Sequence, residues 1–418
     1  MSDVQENVAP PASKNWLESL YRKAAIRLLS ALPEGSFELY EQGHLVLQHG
    51  VRGAAPHAII EVHHTGFYRR LLKGGSIGAA VSFIDGDWTS PELTDVIRLV
   101  ARNLAWLDKL ESKMGWLTWT SHKLQHWLRD NTRQQAKKNI LAHYDLGNDL
   151  YQSFLDREML YSSALFHQPN DDLEQAQINK MQRLCEKLQL SPSDHLLEIG
   201  TGWGGMAVYA AKHYGCRVTT TTISEAQYQY AKSRIEAENL TGQITLLKKD
   251  YRDLEGRYDK LVSVEMIEAV GEKFLPQFFA KCDSLLKPNG IMTLQAITIA
   301  DQRIDYYARN VDFIQKHIFP GGFLPSVALL SETIRNSSSM VIRHLDDMGL
   351  DYARTLRLWW ERFRGQRHEL HKLGYDENFF RLWQYYLNYC EGGFLERATS
   401  AVQLVAHKPG HIGHAWRQ

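Results

Sequence analysis

An α/β fold, built on a doubly wound and mainly parallel sheet with a smaller α+β unit ahead of it, is what the sequence predicts. Three observations carry that reading. Strands and helices alternate from His195 onward at the spacing of crossover units. A glycine cluster, Gly200–Gly205, stands at a strand-to-helix junction. The chain has 418 residues, enough for two or three domains at ~100–200 residues each.

The elements follow in order. Residues 1–14 are small, polar and proline-containing, and read as a disordered tail. Trp16–Leu32 has helical spacing. From Ser36 to Ile84 the pattern turns to short β-like runs, such as Phe37–Tyr40, His44–Leu47 and Ala58–Val62. Asp85–Asp87 reads as a turn, and Pro91–Leu110 returns to helical spacing. Residues 15–112 therefore form the small N-terminal α+β unit. Residues 113–142 form a connector with six basic side chains (Lys113, Lys123, Arg129, Arg133, Lys137, Lys138) against Asp130, a net of +5. Trp116, Leu117, Thr120, Leu124, Trp127 and Leu128 fall near one face of it, the pattern of a helix that lies on anionic lipid. A linker helix with a solvated basic face reads equally from the same residues. Residues 143–418 hold the main domain. Its strands are His195–Ile199, the β-branched run Arg217–Ile223, Ile244–Leu247, Lys260–Val264 and Ile291–Gln295. Its first helices are Met206–His213 and Glu225–Glu238.

Composition narrows the function. Hydrophobic residues are 44% and charged residues 23%, ordinary for a globular chain. Lys plus Arg and Asp plus Glu both number 48, and zero net charge argues against a nucleic-acid binder. Aromatics reach 11%, with 11 Trp and 19 Tyr, which suits large apolar cavities or a lipid-facing surface. The four cysteines, Cys185, Cys216, Cys282 and Cys390, show neither metal-ligand nor redox spacing, and a reducing compartment is expected. The acidic N-terminus has no apolar stretch of the signal-peptide kind, and no window approaches ~18 uninterrupted apolar residues.

The sharpest motif is Leu197–Gly205. Glycines there let the backbone turn tightly and approach a ligand, with helix N–H groups facing it. Gly200, Gly202 and Gly205 satisfy G-x-G-x-x-G, so a dinucleotide is one reading. Such a site wants an acid at the end of the second strand. Here that strand ends in Thr220–Ile223, while Asp250 follows the third strand, where it suits an adenine amino group. A nucleoside without pyrophosphate fits better than a nicotinamide dinucleotide.

Further motifs stand in a fixed order: His143–Asp149, Leu160–Ser163, the glycine loop, Thr222–Gln227, Asp250–Asp253, Val264–Glu268, Ile318–Ser326 and Tyr385–Phe394. With them the chain resembles the S-adenosylmethionine-dependent cyclopropane fatty-acid synthases from about His143 to its end. The N-terminal unit resembles, less distinctly, the extra domain of the bacterial phospholipid-acting members. The resemblance implies a Rossmann-like class I methyltransferase sheet. By position it implies cofactor contacts at Tyr161, Ser162, Gly200, Gly202, Thr222, Ile223, Gln227 and Val264, with Asp250 and Tyr251 flanking the adenine. It implies an unsaturated phospholipid acyl chain as substrate, and a cytoplasmic enzyme bound peripherally to the inner membrane face.

The chemistry sets its own demands. An alkene must meet the sulfonium methyl in line, in a dry slot. Methyl transfer leaves a carbocation, which aromatic faces stabilise; Tyr161, Trp359, Trp360 and Tyr385 are candidates by type. A base must then remove a proton. Members of the family hold a bicarbonate ion for this with a Cys, a Glu, a His, a Tyr and a backbone N–H. By position these side chains are Ser163, Glu268, Gln295 and Trp360 here, so only Glu268 matches. The four are the candidate catalytic set, and bicarbonate is left open. So is the exit of the cation: a ring, or a methylated or methylene chain. Other readings are a methyltransferase for a small apolar or amine substrate and a non-catalytic lipid-binding protein. A homodimer is left open too.

Overall fold

The computed structural model describes residues 16–114 and 147–411. The tail at 1–14 and all of the basic connector from residue 115 onward lie outside them. The N-terminal segment holds a four-stranded sheet of β1 (Ser36–Glu41), β2 (His44–His49), β3 (His57–Val62) and β4 (Trp88–Thr89). Its strand order is β2-β1-β3-β4, with β1 and β3 parallel. One expectation fails here. Gly66–Ile84 is a helix, not a set of β-like runs. Gly74, Gly75 and Gly78 dilute its helical signal, and Gly75 breaks the helix with φ 53° and ψ −137°. The predicted helix at Pro91–Leu110 is two helices, Leu93–Arg102 and Leu104–Met114, parted at Asn103.

The main sheet has seven strands. β5 (His195–Ile199), β6 (Arg217–Thr222), β7 (Ile244–Lys248), β8 (Tyr258–Val264) and β9 (Leu286–Ile299) run parallel. β10 (Val341–Asp347) and β11 (Thr399–His407) add antiparallel strands beyond β9, in the order β10-β11-β9-β8-β5-β6-β7. The central strands carry an apolar core in which Leu196, Leu197, Leu261, Val262, Met292 and Leu294 are all buried. The order reverses at β5, so the carboxyl ends of β5, β6 and β8 open a crevice where ligands of such sheets bind.

The two units share a core. The helix Leu93–Arg102 packs on Glu377–Leu395, and Gly392 allows the contact: a Cβ there would stand 2.7 Å from Ile97 Cγ2. Around it Thr94 donates to Glu391, Arg357 bridges Glu391 and Glu92, and Arg98 and Arg102 both hold Glu396. No helix among the described residues is long and apolar enough to cross a membrane. Gly392→Val should therefore overpack this seam and cost about 1–3 kcal/mol. The expected readout is a lower urea midpoint with an unchanged slope.

Candidate active site

The crevice begins at the glycine bend. After β5 the chain turns at Gly200 (φ 102°) and Gly202 (φ 53°) and enters the helix Gly205–Tyr214. The bend is pinned to β6: the N–H groups of Gly200 and Thr201 both donate to Thr221 O. Beneath it Glu198 is buried and accepts from Thr220 Oγ1 at 2.6 Å. Burial pushes the Glu198 carboxyl up to about 8, against the opposing hydrogen bond from Thr220.

All ten residues singled out for cofactor binding border this one cleft, whose empty volume is about 1260 Å³ with its open mouth included. Tyr161 and Ser162 stand on one side, Gly200 and Gly202 at the bend, and Thr222, Ile223 and Gln227 after β6. Asp250 and Tyr251 follow β7, and Val264 ends β8. Thr222 Oγ1 donates to Gln227 Oε1 at 2.9 Å, and Ser224 caps the helix that carries Gln227. Asp250 is held by Arg252, whose Nε and Nη2 donate to its two oxygens at 2.9 Å each. The cleft suits a nucleoside-linked amino acid. A Cβ on Gly202 would meet nothing within 4 Å, so the bend faces open space.

Beside this cleft lies a second constellation, which the sequence reading only half found. Glu265 follows β8 directly, with φ 47°, a left-handed conformation that a glutamate adopts at a cost. Its N–H donates to Gln295 O at 2.8 Å. Its Oε1 accepts from the Ser163 N–H at 2.9 Å and from Gln295 Nε2 at 2.8 Å. Its Oε2 accepts from Tyr352 OH at 2.7 Å. Gln295 is itself oriented by Gln403, which Lys187 holds. Burial raises the Glu265 carboxyl above its ordinary range, while Gln295, Tyr352, the Ser163 N–H and the Lys180 charge pull it back.

Two of the four candidate catalytic residues, Ser163 and Gln295, thus converge on Glu265. Glu268 lies close by in the next turn. Its Oε1 accepts from the Ile297 N–H, and its buried Oε2 has no hydrogen-bond partner among the described residues. Burial first, then the charge of Glu265, push Glu268 up to about 8. Trp360 packs against Phe363 and Phe380 and does not border the cleft; Tyr352, two turns earlier on the same helix, is the residue that reaches Glu265. Among the candidate aromatics, Tyr161 and Trp359 stand together, 5.4 Å between ring centroids, in a shell with Tyr151, Phe154 and Phe319. Tyr385 packs instead on Phe83 and Phe313. Glu265 was findable, since Val264–Glu268 holds two carboxylates three positions apart. Tyr352, Lys180 and Glu198 carry no local signal of their roles.

A parallel sheet with this reversal, a glycine bend and a nucleoside-sized cleft define a class I methyltransferase. A family model described as mycolic acid cyclopropane synthetase matches residues 131–404. The tuberculostearic acid methyltransferase UfaA1 of Mycobacterium tuberculosis is 39% identical over 350 residues, 82% of this chain and 81% of that protein. The cyclopropane-fatty-acyl-phospholipid synthase of Escherichia coli is 38% identical over 368 residues, 85% of this chain and 89% of that protein. The solved mycolic acid cyclopropane synthase CmaA1, complexed with SAH and CTAB, superposes with a TM-score of 0.62 at 28% identity, covering 65% of this chain and 98% of that one. The chain belongs to the mycolic acid cyclopropane synthetase family and is an S-adenosylmethionine-dependent methyltransferase.

Glu268 generates a pH prediction. In the folded protein it keeps its proton up to about 8, whereas the unfolded chain releases it near 4.5. Folding therefore takes up a proton between those values, and this group's contribution to stability is lost as pH rises through them. Glu268→Gln should gain stability relative to the parent as pH rises from 5 to 9, measured by urea unfolding. A difference independent of pH would contradict this.

Proposed function

We propose that this enzyme transfers a methyl(ene) group to the double bond of an unsaturated phospholipid acyl chain, and that the Glu265 carboxylate removes the departing proton. Bound S-adenosylmethionine supplies an electrophilic methyl group. The protein's own residues do the rest. Tyr161, Ser162, Gly200, Gly202, Thr222, Ile223, Gln227, Asp250, Tyr251 and Val264 hold the cofactor along the cleft. The alkene attacks in a site lined by Met159, Leu160, Trp203, Met206 and Met266, where water is a poor competitor. The faces of Tyr161 and Trp359 stabilise the carbocation. Glu265, fixed by three donors and bordering the cleft, takes the proton from carbon as the electron pair collapses onto the chain.

The observation that carries this reading is the hydrogen-bonded seat of Glu265. Ser163 and Gln295 occupy the positions that, by resemblance, hold a bicarbonate ion elsewhere in the family, and here both contact a carboxylate built into the chain. Glu268, protonated, leaves Glu265 as the ionised partner of the pair. Trp360 shapes the wall behind Phe363 and Phe380. Loss of a proton from the new methyl of the first cation closes a three-membered ring; loss from a neighbouring chain carbon leaves a methyl-branched alkene; and a 1,2-hydride shift that moves the cation to the methyl-bearing carbon, followed by proton loss from the methyl, leaves a methylene chain. A rigidly tethered base that cannot shift toward the new methyl favours the open-chain outcome. The relatives' names span both products. The enzyme works on the bilayer from its inner face, with the basic segment before residue 143 as the lipid contact.

Lipids of a host lacking such an enzyme should gain ~14 Da per modified chain when this one is expressed, one methylene added by the transfer and proton loss. No gain would overturn the lipid substrate, and a saturated ring as the sole product would overturn the open-chain exit. Glu265→Gln should lower kcat by about 10²–10⁴-fold, the range of a general base, with S-adenosylhomocysteine affinity unchanged. Glu265→Gly, which clears the seat, should recover part of that rate on addition of bicarbonate. An unchanged rate in Glu265→Gln would contradict the assignment.

A further inference from the structure

Lys180 sits on the helix Leu173–Leu188 and borders the cleft, with 1% of its surface exposed. Burial of an ammonium costs much unless a charge and hydrogen bonds compensate it. An ammonium has three donors. Among the described residues Lys180 Nζ makes one hydrogen bond, to Ser162 Oγ at 2.7 Å, and no carboxylate stands within ion-pair distance. The nearby acids are engaged elsewhere. Asp156 accepts from the N–H groups of Glu158 and Leu160, and Glu265 holds Ser163, Gln295 and Tyr352. Both still act on Lys180 through their charge, which opposes the effect of burial. The cleft therefore contains a buried cation with donors left over, beside a serine already placed among the cofactor contacts.

Position along the sheet says which anion suits it. Ser162 adjoins Ser163, whose N–H is tied to Glu265 at the end of β8. Asp250 and Tyr251, which flank the adenine, follow β7. In the order β8-β5-β6-β7 these ends lie three strand spacings apart, roughly 14 Å at ~4.8 Å each. That separation suits a ligand with a base at one end and an amino acid at the other.

We propose that Lys180, together with Ser162, pairs with the carboxylate of the amino-acid half of S-adenosylmethionine. The inference rests on the cofactor assignment above and is independent of the acyl substrate and of the base. The same carboxylate chemistry is available from free bicarbonate, so the test separates the two sources. Calorimetry would compare S-adenosylhomocysteine with 5′-methylthioadenosine, which keeps the nucleoside and thioether but lacks the amino acid. Lys180→Met should weaken S-adenosylhomocysteine by about 10- to 100-fold, the range of a charge-assisted contact. Methylthioadenosine affinity should stay within about twofold, which also reports an intact cleft, and Lys180→Arg should restore part of the loss. Equal losses for both ligands, or no loss for either, would overturn the proposal. So would bicarbonate competing with S-adenosylhomocysteine in the parent while Lys180→Met leaves that ligand's affinity unchanged. Should Lys180→Met fail to fold, Lys180→Gln and Lys180→Arg carry the same comparison. Failure of the parent to bind either ligand would instead remove the cofactor assignment itself.

Discussion

One buried carboxylate organises the reactive end of this protein. Glu265 is bound on one oxygen by a backbone N–H and an amide, and on the other by a phenol. These donors come from three separate parts of the fold: the segment before the helix Leu173–Leu188, strand β9, and the helix Gly349–Gly365. Their convergence fixes how those parts meet at the carboxyl end of β8. The left-handed backbone at Glu265 is consistent with that demand: in this bend the side chain meets the Ser163 N–H while its own N–H reaches Gln295 O.

The electrostatics of the site follow from the same arrangement. Two carboxyls, Glu265 and Glu268, stand close together and half-buried, and the charge of one opposes ionisation of the other. Glu265 has three hydrogen-bond donors and feels the Lys180 charge; Glu268 has one donor and an unpartnered oxygen. The proton therefore settles on Glu268. This asymmetry is what the proposed base rests on: of two identical side chains, Glu265 is held closer to its charged form than Glu268. It also leaves Lys180 as a cation whose own need for an anion points back into the cleft.

Legibility in the sequence divides along physical lines. Strands β5, β6, β8 and β9 were readable because their burial favours short runs rich in apolar or β-branched residues, and the edge strand β7 because Ile244–Leu247 is itself such a run. Strand β10 was not, since Val341–Asp347 lies at the sheet edge and is largely exposed and polar. The helix Gly66–Ile84 was hidden by three glycines that weaken its periodicity. The ten residues expected at the cofactor lie in segments that backbone turns and motif spacing specify, and all ten border one cleft. The proton-removing end was less legible. Position-by-position reading asks what replaced each residue, and Ser163, Gln295 and Trp360 gave poor answers singly. Only the fold shows that Ser163 and Gln295 hold a carboxylate from a neighbouring position, and that Tyr352 rather than the aligned Trp360 supplies the hydroxyl.

The proposal is that this chain carries its own base at the place where the family resemblance implies a bicarbonate ion. The most direct measurement is the steady-state rate of acyl-chain methylation in buffer stripped of carbon dioxide, followed as bicarbonate is added back. A built-in carboxylate predicts the same rate throughout. A rate that collapses on stripping and recovers with bicarbonate would contradict it.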